Sequence, residues 1–130
     1  MILRTTFISE NFTPPYVFIS LTEEDLQTPA PPGQPYSTKI TDHSVVLSWP
    51  VSPSADVTHY VIEYRNVEYG PDAWKLALDK VETTSCTVDE LTNEDEYVFR
   101  VFAYNDTLGS EPSQPSEKIL IEGKSFLRDK

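Results

Sequence analysis

The sequence predicts an all-β fold, a seven-stranded antiparallel β-sandwich, and three features carry that prediction. Apolar and polar residues alternate over short runs, bounded by turn-forming residues at the spacing of a sandwich. No stretch sustains the 3.6-residue period of an amphipathic helix. The third feature is the stretch 91–105, in which a turn runs into a long alternating strand with Tyr97 at the junction. A tyrosine there buries its ring while its hydroxyl bonds the backbone upstream, a corner found in β-sandwiches.

The elements follow in order. Residues 37–41 are predicted as the first strand. Val45, Leu47 and Trp49 alternate with Val46 and Ser48 in a half-buried second strand that Pro50 ends. Residues 58–67 form the third, with Tyr60, Ile62 and Tyr64 on one face and His59, Val61, Glu63 and Arg65 on the other. A turn at 69–72 leads to a fourth strand at 74–78, near a sheet edge. Residues 85–88 carry Cys86 and Val88 inward. The sixth strand faces Tyr97, Phe99, Val101 and Ala103 inward, and residues 118–122 complete the seven. The expected core is therefore Trp49, Tyr60, Ile62, Leu91, Tyr97, Phe99 and Val101, with Trp49 as its central anchor.

The flanks read differently. Residues 1–28 form a leader, flexible or loosely docked, that reads as interdomain linker or the edge of a preceding domain. Within it Ser20, Leu21, Thr22 and Glu23 have the form of a capping box for a helix of about two turns, too short to be stable alone. Tyr16, Val17, Phe18 and Ile19 are suited to adding as a strand to a sheet edge. Residues 28–35 are proline-rich and read as a semi-rigid spacer; their PxxP spacing lacks the flanking basic residue of an SH3 ligand. The folded domain is placed at 29–122 and a tail at 123–130.

Composition narrows the function. A net charge of −11 argues against nucleic acid, whose affinity rests on Lys and Arg neutralising phosphates. It argues equally against an anionic membrane surface, and no apolar stretch is long enough for membrane insertion. The same charge suits a basic protein partner. Cys86 is the sole cysteine, so no intrachain disulfide forms, which tilts the reading towards a reducing compartment. The sequon Asn105-Asp106-Thr107 pulls the other way, as a glycan acceptor if the chain were secreted.

Catalytic and metal chemistry find little support. His43 and His59 have no second histidine or cysteine at ligand spacing, so neither zinc nor another metal is expected. The acidic run of Asp89, Glu90, Glu94, Asp95 and Glu96 lacks the glycine-punctuated order of a calcium loop and reads as a solvated turn. Cys86 reads as a small buried hydrophobe without a basic neighbour to activate it. No enzyme activity and no cofactor are expected. The surface offers Val61, Arg65, Arg100, Phe102 and Tyr104, an apolar, arginine-bearing patch expected opposite the core with Phe102 and Tyr104 exposed. An Arg100→Glu, Phe102→Ser variant is expected to abolish partner binding with the fold intact.

Several of these features, taken together and in order, resemble a fibronectin type III module over about residues 30–122. They are the proline-rich start, Trp49, the run Tyr60-x-Ile62-Glu63-Tyr64-Arg65, Leu91 six residues before Tyr97, and Ala103-x-Asn105 leading to Ser110-x-Pro112-Ser113. Asn93 and Asp95 stand where the family often has proline and threonine, and both are good turn formers. Leu108 stands at a usual glycine, with Gly109 one place later, which implies an altered backbone in the last loop. No Arg-Gly-Asp occurs, so the family's integrin-binding motif does not carry over. Residues 74–77, 89–91, 96–101 and 110–114 are most similar to the intracellular modules of titin and myosin light-chain kinase-type proteins. That resemblance implies a monomeric spacer and protein-docking module beside immunoglobulin-like or further fibronectin type III domains, in a cytoplasmic, cytoskeletal setting. The alternative is a module of a cell-surface receptor or adhesion protein.

Overall fold

The computed structural model describes residues 28–122. Its strands form two antiparallel sheets. β1 (Tyr36–Ile40), β2 (Val45–Ser48) and β5 (Ser85–Val88) make a three-stranded sheet in the order β1-β2-β5. β3 (His59–Asn66), β4 (Lys75–Val81), β6 (Glu96–Tyr104) and β7 (Ile119–Leu120) make a four-stranded sheet in the order β4-β3-β6-β7. The fold is the predicted β-sandwich of seven strands. A single turn of 3-10 helix, Val67–Tyr69, follows β3, and the Asn66 side chain accepts from the Glu68 N–H to cap it.

Alternation places the core between the sheets. Val45 and Leu47 from β2 meet Ile62 from β3 and Phe99, Val101 and Ala103 from β6, all with no solvent exposure. Trp49, Tyr60, Val88, Leu91 and Tyr97 complete this cluster, with Ile119 and Ile121. The Trp49 and Tyr60 rings meet edge to face, centroids 5.5 Å apart. Two tyrosines bury their rings and keep a partner for the hydroxyl. Tyr97 Oη accepts from the Thr92 N–H at 3.0 Å, closing the corner expected at that junction, and Tyr60 Oη accepts from the Ser52 N–H at 3.2 Å.

Element boundaries depart from expectation in instructive places. The fourth strand begins at Lys75, leaving Trp74 outside it, and runs on to Val81 through register shifts against β3 and a left-handed Lys80 (φ 56°). The seventh strand shrinks to two residues. Before it, Ser110, Ser113 and Ser116 recur every third residue, and all three are buried. Their backbone N–H groups donate to the carbonyls of Ala103, Val101 and Phe99, each at 2.8 Å. Their hydroxyls accept from the N–H groups of the same three residues at 2.9, 3.0 and 3.0 Å. Each serine hydroxyl thus takes the place of a strand carbonyl. Its proton goes to the carbonyl of Glu111, Gln114 or Glu117. A three-residue repeat is the period of polyproline geometry, which accommodates Pro112 and Pro115 where a strand would not.

The proline-rich start corrects its reading as a spacer. Pro29, Pro32 and Pro35 are all buried, again on a three-residue period. Ala30 donates its N–H to Ser54 Oγ and accepts from Ser52 Oγ. The Gly33 N–H donates to the Pro50 carbonyl at 3.1 Å. A Cβ on Gly33 would lie 2.5 Å from Pro50 Cγ, so this approach requires glycine. The segment is docked because its period turns one proline face to the sandwich. The readings made for residues 1–27 and 123–130, including the short helix and the Tyr16–Ile19 run, lie outside the described residues.

These contacts fix where the chain enters and leaves. The Leu91 N–H donates to the His43 carbonyl, joining the 41–44 and 89–95 turns at one pole. The Thr58 N–H donates to the Tyr104 carbonyl, joining the 49–58 and 105–109 loops at the other. Ala30 is held beside Ser52 at the second pole, whereas Ile121 bonds Glu94 and Asp95 at the first.

Candidate protein-interaction face

The outward residues of β3 and β6 pair across the sheet in a fixed register: His59 with Tyr104, Val61 with Phe102, Glu63 with Arg100, and Arg65 with Val98. The alternation had put these residues on one outward face without fixing their register, and the observed pairing brings Val61, Arg65, Arg100, Phe102 and Tyr104 together there. Their exposure differs from expectation. Phe102 and Tyr104 are half-buried, and Val98 on the same face is buried.

The part of this face beside Trp74 is closed upon itself. Arg100 donates from Nε and Nη2 to Glu63 Oε1 at 2.9 and 2.7 Å, with about a quarter of each side chain exposed. Its guanidinium lies 4.1 Å from the centroid of the Trp74 ring and 5.3 Å from that of Phe102. Arg65 stacks over Trp74 at 5.1 Å and donates from Nη1 to the Gly70 carbonyl. Cation–π contacts at partly desolvated sites contribute ~0.5–2 kcal/mol each. The arginines are therefore engaged in stabilising the sheet. This changes the expectation for Arg100→Glu with Phe102→Ser: it would set two carboxylates across from each other and remove the Arg100–Trp74 contact, so the variant would lose stability as well as any partner contact.

The opposite part of the face is open. His59 and Tyr104 stack with centroids 5.1 Å apart and planes 18° from parallel. With Val61 and Leu76 they floor a shallow depression of about 530 Å³, rimmed by Asp79, Lys80, Glu82 and Asp106. Leu76 is 58% exposed. Gly109 packs against the Tyr104 ring so closely that a Cβ would lie 2.5 Å from Cζ. The 105–109 loop is built around this contact. Asp106 takes a left-handed φ of 88°, and the Asn105 N–H donates to the Leu108 carbonyl.

Sequence reasoning missed Trp74, Leu76, Asp79 and Glu82 as parts of this face. Leu76 was within reach, because it lies in the predicted edge strand and its partner Glu63 was already assigned outward. Asp79 and Glu82 depend on where the shifts in the β3–β4 register fall, and Trp74 lies outside the strand.

Two titratable groups lie elsewhere. Cys86 packs against the core, and burial pushes its thiol up to about 11. Thiolate near neutral pH is then about a hundredfold scarcer than for an open cysteine. Labelling by a disulfide reagent at pH 8 is expected to be slow in the native chain and fast in urea; equal rates would contradict the packing. His43, at an exposed turn, lies 2.6 Å from Asp42 and 3.5 Å from Asp89. The hydrogen bond to Asp42 raises its pKa above the ordinary imidazole value, the charges of Asp42 and Asp89 add to this, and desolvation opposes it. Its contribution to stability is therefore full at low pH and lost as pH rises through the folded-state pKa. An NMR titration is expected to show His43 titrating above about 6.5, and Asp42→Asn bringing the midpoint down.

Two sheets packed about an aromatic core, a tyrosine corner and a serine-laddered final segment define an immunoglobulin-like β-sandwich module. The chain matches the fibronectin type III domain over residues 30–119 and belongs to that family. It is 36% identical over 107 residues to human Roundabout homolog 3, a match covering 81% of this chain and 8% of that protein. Among solved structures it is similar to domains A168–A170 of titin, with a TM-score of 0.66 and 29% identity over 72% of this chain and 32% of that one. It is also similar to the twitchin kinase region of C. elegans, with a TM-score of 0.65 and 32% identity over 74% of this chain and 17% of that one. The chain thus spans a small fraction of the relatives it matches.

Proposed function

We propose that this chain is a non-catalytic spacer and protein-docking module of a larger multidomain intracellular protein, cytoskeletal or kinase-associated in setting. One observation carries the spacer role: residue 30 is anchored at one pole of the sandwich and residue 121 at the other. A module held that way adds its full length to a string of neighbours, fibronectin type III or immunoglobulin-like. The likeness to titin domains and to a twitchin kinase region supports the intracellular setting. Spin labels at Pro31→Cys and Leu120→Cys test the spacer role, since both sites are exposed and Cys86 is shielded. One narrow distance is expected, and a broad distribution would contradict a rigid spacer.

The second reading is a module of a cell-surface receptor or adhesion protein. It is favoured by the match to Roundabout homolog 3 and by the Asn105 sequon, whose Nδ2 is held by a single exposed hydrogen bond to Asp56. An immunoblot of source tissue with and without an N-glycosidase separates the two. A very large band that does not shift supports the intracellular scaffold, and a band that drops in mass supports the ectodomain.

A further inference from the structure

We propose that the depression on the outer face of the four-stranded sheet is the docking site, and that its occupant is an extended basic segment of a partner protein. The inference rests on the docking-module reading and adds its place and chemistry. The floor is apolar: Val61, the exposed Leu76 and the stacked His59–Tyr104 pair. The rim sets three carboxylates, Asp79, Glu82 and Asp106, against the single ammonium of Lys80. None of the three carboxylates forms an ion pair among the described residues, where Glu63 on the same face is committed to Arg100. An apolar floor inside a rim that stays net acidic is complementary to a segment in which Lys or Arg flanks an apolar side chain. The net charge of −11 steers the same partner from a distance.

The occupant lies across the face. Edge strand β4 is irregular, with register shifts opposite Tyr60, Ile62 and Glu63 and a left-handed Lys80, and such irregularity disfavours addition of a partner strand to the edge. The volume of about 530 Å³ falls within the range of sites that hold a few side chains.

The probe is a short acetylated peptide alternating Lys with Leu and Trp, titrated into the full chain at low salt and followed by amide NMR. Its control carries Glu at every Lys position. Shifts are expected to cluster at His59, Val61, Leu76 and Tyr104 and to be absent with the control. Asp79→Asn, Glu82→Gln and Asp106→Asn together are expected to weaken binding about tenfold. Leu76→Ser is expected to weaken it severalfold, and Val51→Ser, exposed outside the depression, to leave it unchanged. Gly109→Ala tests the floor separately, since it pushes the Tyr104 ring aside while the core is untouched. Equal binding of the control, shifts spread over the whole acidic surface, indifference to Leu76→Ser, or occupation by a second copy of this chain would each overturn the proposal. The labelled distance between residues 31 and 120 stands apart from all of these, so loss of the docking site leaves the spacer role to its own test.

Discussion

Trp49→Ala is expected to leave the chain unable to hold its native fold. The indole is 3% exposed and meets Tyr60 edge to face between the two sheets. Removing a buried aromatic of this size costs ~3–5 kcal/mol, through lost burial and the cavity left behind. A domain has only ~5–15 kcal/mol in total. The structure adds a finer expectation. Trp49 Nε1 is buried with no hydrogen-bond partner, so the ring holds its place by packing alone. Trp49→Phe keeps much of the packing and removes an unsatisfied donor, and its expected loss is smaller, about 1–2 kcal/mol. Urea melts read both variants. A cooperative transition near wild type for the alanine variant, or equal losses for the two, would contradict the core assignment.

The second large effect is expected where the serines replace strand carbonyls. Ser113→Ala removes the acceptor for the Val101 N–H in a buried position, and such an orphaned donor costs ~1–3 kcal/mol. Replacing Ser110, Ser113 and Ser116 together strips the acceptors from three alternate residues of the central strand β6. The combined loss approaches the whole stability of a domain. Gln114→Ala, at an exposed site between them, serves as the control. Hydrogen exchange at Phe99, Val101 and Ala103 is the direct readout: protection is expected to fall at all three in the triple variant. Unchanged protection would mean that water or backbone replaces the hydroxyls without cost.

The serines also mark where sequence reasoning stops. Residues with a period of two were legible, because burial on one side of a pleated strand leaves a mark at every second position. That mark placed Val45, Leu47, Tyr60, Ile62, Phe99 and Val101 on inward faces and put Glu63 and Arg100 on the same outward face. Ser110, Ser113 and Ser116 carry a period of three in small polar residues, which a search for apolar alternation passes over. Pro29, Pro32 and Pro35 carry the same period, and their composition alone reads as a spacer. The candidate site was half legible. The face could be named from β3 and β6, but which of its side chains are already engaged depends on Trp74, a loop residue whose ring lies over both arginines. Leu76, Asp79 and Glu82 enter through an edge strand whose register shifts do not show in its residues.

The seam of serines has a mechanical consequence. With the chain anchored at opposite poles, a pull between residues 28 and 122 acts nearly along β6. The three serine rungs, the β7 pairs and the clamp of Ile121 on Glu94 and Asp95 all lie across that direction. Such a pull loads them in shear, so that they must fail together, whereas a pull across the sheet would peel them one at a time. Hydroxyl rungs that hold a proline-bearing segment to its neighbour thereby make the C-terminal end of this module a brace against stretching.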